Sequence, residues 1–168
     1  NGTWSVKEYD MRLHHNPSVE ELVEAAGNPA DYREIVFCGM GESTMRLDVM
    51  LEVGRKLKEK GAKLRLNTNG TGSMLNGRDI AAELVAVIPT LSVSLNAQDE
   101  ETYNRHCRPK NAGTYAAVID FIKSAKKAGG DVTVTAIDGL PGVDIAKCEA
   151  IANDLGVKFR RRVLDDLV

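Results

Sequence analysis

Two periods alternate along the chain. Val19, Leu22, Val23 and Ala26 recur at helical spacing behind Ser18, and Glu21 completes a capping box, so the spacing predicts a helix over residues 18–26. After a break at residues 27–29, residues 34–38 form a short apolar run closed by glycine. Leu47, Met50, Leu51, Gly54 and Leu57 then fall on one helical face, which reads as strand, loop, helix. The unit repeats. Residues 63–67 alternate and end in the polar Asn67, Thr68, Asn69 and Gly70, before a helical pattern carried by Ile80 and Leu84 and stopped near Pro89. Residues 91–95 give a further strand, and Tyr115, Val118, Ile119 and Ile122 a helix ended by Gly129 and Gly130. Residues 131–137, rich in Val and Thr, predict a strand; Ile145, Cys148, Ile151, Ala152 and Leu155 predict a helix; residues 157–163 predict the last strand.

Five strands separated by helices imply a parallel sheet, since each crossover must carry the chain back to its starting edge. An open doubly wound sheet and a barrel, or part of one, both satisfy this pattern, and both place chemistry at the C-terminal ends of the strands. The polar clusters that follow the strands are therefore candidates: residues 39–43, 67–70, 94–96, 135–138, and the arginines at 160–162. They are expected to converge on one mouth.

Composition narrows the classes. The 168 residues, 43% hydrophobic and 27% charged, fit one domain over 1–168 with a sizeable core and exclude a disordered tail. With 22 basic against 24 acidic side chains, a formal charge of -2, the chain lacks the basic excess of a bulk nucleic-acid binder. Its longest uncharged apolar runs, such as residues 84–91, fall far short of the ~20 residues of a membrane helix, which predicts a soluble, cytoplasmic protein. Cys38, Cys107 and Cys148 lack the paired spacing of a metal site or disulfide framework and read as reduced thiols. The first residue is Asn1, and the chain is expected to be a fragment.

Gly39 and Gly41 remove side chains where the strand enters its loop, so backbone groups can approach a ligand, and Glu42 adds a carboxylate suited to an ammonium group. The third glycine of a dinucleotide fingerprint is missing, and no phosphate-loop string occurs. Residues 67–70 serve equally as a turn or as amide hydrogen-bonding groups for a polar ligand. His14, His15 and His106 show no metal spacing and read as surface or loop residues. Lys158, Arg160, Arg161 and Arg162 alternate about Phe159; on a strand some face solvent, with Asp165 and Asp166 the plainest partners, while one could reach an anionic substrate.

Taken together, residues 35–43 (Ile-Val-Phe-Cys-Gly-Met-Gly-Glu-Ser), 66–70 (Leu-Asn-Thr-Asn-Gly), 92–96 (Ser-Val-Ser-Leu-Asn) and 99–105 (Asp-Glu-Glu-Thr-Tyr-Asn-Arg) resemble the core domain of radical S-adenosylmethionine (radical SAM) proteins in order and spacing. In that family these strand ends read Gly-Gly-Glu-Pro, Thr-Asn-Gly and Ser-Leu-Asp/Asn followed by an acidic-Glu-Thr-Tyr-x-Arg helix. Residues 67–70, 94–105, 108–109 and 140–144 further resemble the subgroup associated with TatD-type deoxyribonucleases. The likeness covers roughly residues 17–163. It departs at Ser43, where the family has Pro, and in lacking the Cys-x-x-x-Cys-x-x-Cys run that ligates the family's [4Fe-4S] cluster.

The resemblance implies a partial TIM-like (β/α) barrel of about five parallel strands, with the first strand and the cluster loop missing. It implies SAM as cofactor. The backbone of Gly39, Met40 and Gly41, with Glu42 and Ser43, would hold the methionine amine; Asn67 and Asn69 would sit one strand over; Ser94 and Asn96 would meet the ribose or carboxylate; Arg105 or Arg108 would supply a cation; and Thr135 would lie near the adenine. In an intact parent carrying the cluster and served by a reductant such as flavodoxin or ferredoxin, SAM would be cleaved to a 5'-deoxyadenosyl radical that abstracts hydrogen from an unknown substrate. No metal ligand is expected in this chain, so alone it should be inactive. Two rivals remain: a non-catalytic α/β domain binding a nucleoside or amino acid, and a metal-dependent barrel hydrolase, for which only Glu42 and Asp138 qualify as strand-end ligands.

Overall fold

A computed structural model describes residues 5–6, 9–10, 12–39 and 41–164. A short antiparallel pair, β1 (Ser5–Val6) and β2 (Tyr9–Asp10), opens it. Two-residue strands carry no readable period, and the sequence pattern does not announce them. Helix α1 (Val19–Ala25) begins as its capping box requires: the Glu21 amide donates to Ser18 Oγ at 3.2 Å and the Ser18 amide to Glu21 Oε2 at 2.7 Å.

The main sheet then alternates with helices: β3 (Ile35–Phe37), α2 (Leu47–Glu59), β4 (Leu64–Thr68), the short α3 (Gly72–Leu75), α4 (Ala81–Val87), β5 (Thr90–Ser94), α5 (Glu100–Cys107), α6 (Thr114–Lys127), β6 (Asp131–Asp138), α7 (Ile145–Asp154) and β7 (Lys158–Val163). The five strands pair in chain order, all parallel, with β3 and β7 at the edges. This is the expected partial barrel. Strand β3 is shorter than the apolar run over residues 34–38 that predicted it.

Sequential order has a geometric consequence. When every parallel crossover is right-handed and each strand is laid beside the last, every crossover helix falls on the same face of the sheet. The register agrees. Leu66 sits beside Leu91, Leu91 beside Val132, and Val93 beside Val134; all are buried under the helices, where Leu57, Leu84, Phe121 and Ile122 complete one core. The alternate residues of the same strands, Arg65, Asn67, Ser92, Ser94, Thr133 and Thr135, point to the opposite, inner face, which is polar.

Candidate functional site

Four strand ends are tied into one rim. At the first, Glu42 leaves β3 in extended conformation and caps a 3-10 turn over Ser43–Arg46. Its carboxylate is heavily engaged. Oε1 accepts from the Thr44 amide at 3.2 Å, Thr44 Oγ1 at 2.7 Å and Thr68 Oγ1 at 2.9 Å, while Oε2 accepts from the Asn69 amide at 2.9 Å. Glu42 therefore staples the β3 loop to the end of β4. The Gly70 amide in turn donates to Thr68 Oγ1 at 3.0 Å.

Two glycines make this junction possible. Gly70 has φ +80 and lies where a Cβ would come within 3.0 Å of both Val93 and Val118, so the turn needs a residue that is both left-handed and without a side chain. Gly72 packs against Thr44, where a Cβ would approach Oγ1 to 3.0 Å. Gly39 and Gly41 differ. A Cβ on Gly41 would meet nothing within 4 Å, and one on Gly39 only the Gly41 backbone at 3.9 Å. Neither position is closed to a side chain by its neighbours.

At the end of β5 the backbone turns through two successive short-range bonds, Leu95 N–H to Val93 O at 3.1 Å and Ala97 N–H to Leu95 O at 2.8 Å. Asn96 lies between them at φ 64, a left-handed conformation that Asn tolerates better than most residues. Its amide donates to Thr135 O at 3.0 Å, which carries the β5–β6 ladder one step past Ser94, and its Nδ2 lies 3.4 Å from Cys107 Sγ. Asp99 then caps α5 by accepting from the Thr102 amide at 2.8 Å. Gln98 joins this rim to the loop after β6, donating to Gly142 O at 3.1 Å and accepting from the Asp144 amide at 3.0 Å.

Among the candidates read from the sequence, residues 39, 41, 42, 43, 67, 69, 94, 96 and 135 lie at or beside the C-terminal ends of β3 to β6; Met40 lies outside the described residues. Asn67 is exposed on the inner face and accepts from Arg65 Nη1 at 2.9 Å. Asn69 folds its Oδ1 onto Thr71, accepting from the amide at 2.9 Å and the hydroxyl at 2.6 Å. Thr135 is buried and Ser94 half-buried. Arg105 pairs with Glu101 at 2.9 Å. Arg108 ends α5 at φ 46 and lines a shallow depression of about 350 Å³ with Asn104, Pro109, Asn111 and Ala112. Sequence reasoning missed Thr44 and Gln98, which hold the loops together and belong to no motif, and it marked Thr68 within residues 67–70 without its bond to Glu42.

The basic run also resolves. Lys158 pairs with Asp131 at 2.7 Å, Arg161 pairs with Asp138, and Arg160 Nη2 donates to Ser92 Oγ at 3.3 Å; Asp165 and Asp166, the expected partners, lie outside the described residues. His106 is engaged, its Nε2 2.8 Å from Pro141 O.

The thiols do not form a cluster site. Cys148 is fully buried, and burial pushes its pKa up to about 11; Cys107 is half-buried beside Asn96; Cys38 is exposed at the end of β3. No group of three metal-ligating side chains occurs among the described residues. An iron-sulfur cluster held by three thiolates does not fit these residues. The residues at the rim fit the ammonium end of SAM: no side chain stands at Gly39 or Gly41, and Glu42 Oε2, which accepts one hydrogen bond from the Asn69 amide, keeps acceptor capacity for an ammonium group.

The comparisons agree with this geometry. The Radical SAM superfamily profile matches residues 5–155. No curated protein matches the chain. Its fold is similar to the crystal structure of SuiB from Streptococcus suis, with a TM-score of 0.66 at 12% identity over 92% of this chain and 35% of that one; the chain thus spans about a third of SuiB. It is also similar to a domain of pyruvate-formate lyase-activating enzyme from Bacteroides vulgatus ATCC 8482, with a TM-score of 0.54 at 13% identity over 76% of this chain and 98% of that one. At such identities the likeness is one of fold. The profile spans most of the chain, and the chain belongs to the radical SAM superfamily.

Proposed function

We propose that this chain is the SAM-binding core of a radical SAM enzyme, with the cofactor lying across the C-terminal ends of β3 to β6. The observation that carries the reading is the rim itself: the loops after four adjacent strands present polar groups to one mouth in a chain of this superfamily. Glu42 Oε2 and the backbone at Gly39 and Gly41 hold the methionine ammonium. Ser94 and Asn96 meet the ribose or carboxylate, and Thr135 lies toward the adenine. Of the two candidate cations, Arg108 is favoured, because Arg105 is committed to Glu101 whereas no carboxylate among the described residues lies within 4.0 Å of Arg108. On one-electron reduction, SAM bound at such a site supplies a 5'-deoxyadenosyl radical for hydrogen abstraction.

The cluster, its ligands and a reductant such as flavodoxin or ferredoxin belong to the parent enzyme, in a cytoplasmic, reducing setting consistent with three free thiols and with no described helix long and apolar enough to cross a membrane. The narrower likeness to the TatD-associated subgroup rests on the sequence alone. A nucleoside-binding domain without redox chemistry would use the same loops, and iron and sulfide analysis of the full gene product separates the two. In cluster-loaded parent, Glu42→Gln is expected to weaken SAM binding by about 1–3 kcal/mol, and Ser94→Ala by less, read by isothermal titration where both variants are folded. Wild-type affinity in both would overturn the site.

A further inference from the structure

Besides the groups proposed for SAM, the inner face of the sheet carries charges of its own. No helix among the described residues covers this face, because the crossovers all lie on the other side, and the face is polar along the middle of β4 to β7. Its charges are unbalanced. Toward the N-terminal ends of the strands, Arg65 is matched by Glu34 through bonds of 2.8 and 3.1 Å, and Lys158 by Asp131. Toward the mouth, β7 places Arg160 beside Thr135 and Arg162 beside Ile137, whereas Arg161 falls on the helical face with Asp138. No carboxylate of the described residues lies within 4.0 Å of Arg160 or Arg162.

Arg160 is aimed inward, across the sheet. Its Nη2 reaches Ser92 Oγ at 3.3 Å, on a strand two places away. Adjacent strands lie about 4.8 Å apart, so the side chain spans roughly 10 Å over β6 with the rest of its guanidinium fork undirected. A planar fork with open donors on a polar wall, next to a second unmatched arginine, is complementary to an oxyanion.

We propose that Arg160 and Arg162 form an anion subsite on the inner face, and that the substrate of the parent enzyme is a small molecule bearing a carboxylate or phosphate held there. The inference rests on the SAM reading above, which puts the reacting centre at the rim just above these residues. The ¹⁵N-labelled chain is titrated separately with inorganic phosphate, citrate and SAM, following the arginine Nε–H and the amides of Ser92, Ser94, Thr133 and Thr135. Phosphate or citrate, whichever class the subsite serves, should give saturable shifts there. Arg160→Gln should weaken that binding roughly tenfold, Arg162→Gln should weaken it too, and Arg161→Gln on the other face should leave it unchanged. SAM shifts at Asn69 and Asn96 should survive in the Arg160→Gln variant.

Absence of saturable anion shifts, or shifts indifferent to Arg160 and Arg162, overturns the subsite. So does loss of the SAM shifts in Arg160→Gln, because the arginine would then serve the cofactor. Anion binding that depends on both arginines, in a protein whose cluster-loaded parent shows no SAM binding by isothermal titration, would instead overturn the cofactor reading and leave the subsite standing.

Discussion

Removing the Glu42 carboxylate tests whether the rim is a built structure or a set of independent loop ends. Glu42 accepts four hydrogen bonds, two of them from the hydroxyls of Thr44 and Thr68, which are 0% and 4% exposed. In Glu42→Ala these hydroxyls lose a partner that water cannot easily replace. An unsatisfied buried hydroxyl costs about 1–3 kcal/mol, so two of them set an expected loss of about 2–6 kcal/mol. The Asn69 amide belongs to an exposed residue, where water can replace the lost acceptor, and adds less. Glu42→Gln retains one acceptor oxygen but turns an amide nitrogen toward either the Asn69 N–H or the two hydroxyls, and should lose about 1–3 kcal/mol. Urea unfolding followed by circular dichroism reads the difference as a lower midpoint at unchanged slope. A double-mutant cycle with Thr68→Val should give a coupling of about 1–2 kcal/mol. If Glu42→Ala unfolds within about 0.5 kcal/mol of wild type, the staple contributes nothing, and the case for a preorganised rim goes with it. The same numbers bear on the cofactor: a loss of SAM binding in Glu42→Gln is attributable to the missing charge only where the variant remains folded.

Two further outcomes follow from packing and burial. Gly72→Ala pushes a Cβ to 2.8 Å from Ile80 Cδ1 and 3.0 Å from Thr44 Oγ1; overpacking of about 1–3 kcal/mol is partly offset by the helical preference of Ala, for a net loss of about 1–2 kcal/mol in the urea midpoint. Wild-type stability would mean that Thr44 moves freely. Burial raises the phenols of Tyr103 and Tyr115, packed ring against ring at 5.4 Å, to about 12, so ultraviolet titration should show these two of the four tyrosines ionising well after the others. Their folded pKa exceeds the unfolded value of about 10, so the native state holds protons the unfolded state releases. The associated stability is present below pH 10 and lost between pH 10 and 12. A single tyrosine transition near pH 10 in folded protein would contradict it.

The alternation of periods made the sheet legible. Each helix of the main unit that buries three or more apolar positions on one face, such as α2 through Leu47, Met50, Leu51, Val53 and Leu57, could be read before its structure was known, and so could each strand between them. The pieces that escaped are short. Helix α3 has four residues, and β1 and β2 have two each, so none spans a full repeat of its own pattern. At the rim, the sequence marked residues 39–43, 67–70 and 94–96 because glycine and amide side chains break strand periodicity there. It did not mark Thr44, two residues beyond Glu42, nor the partnership of Thr68 with Glu42, which joins positions 26 residues apart in a way no local spacing encodes.

The arginines of β7 show where strand alternation alone runs out. Period two separates Arg160 and Arg162 from Arg161, yet it does not say which set faces the helices, because Phe159 and Val163 are the only apolar markers and both lie near the sheet edge. The register supplies the answer: Val134 is buried and pairs with Phe159, which commits Phe159, Arg161 and Val163 to the helical side and turns Arg160 and Arg162 inward. Asp138 then satisfies Arg161 on that side, and no equivalent carboxylate among the described residues meets the inward pair. A β-edge can disperse such charge into water, but Arg160 instead reaches back over β6 to Ser92, spending side-chain entropy on one weak hydrogen bond. That placement is costly for a solvated charge and favourable for a guanidinium that meets an anion, which makes the inner face of β7 the surface on which the proposed anion subsite is to be tested.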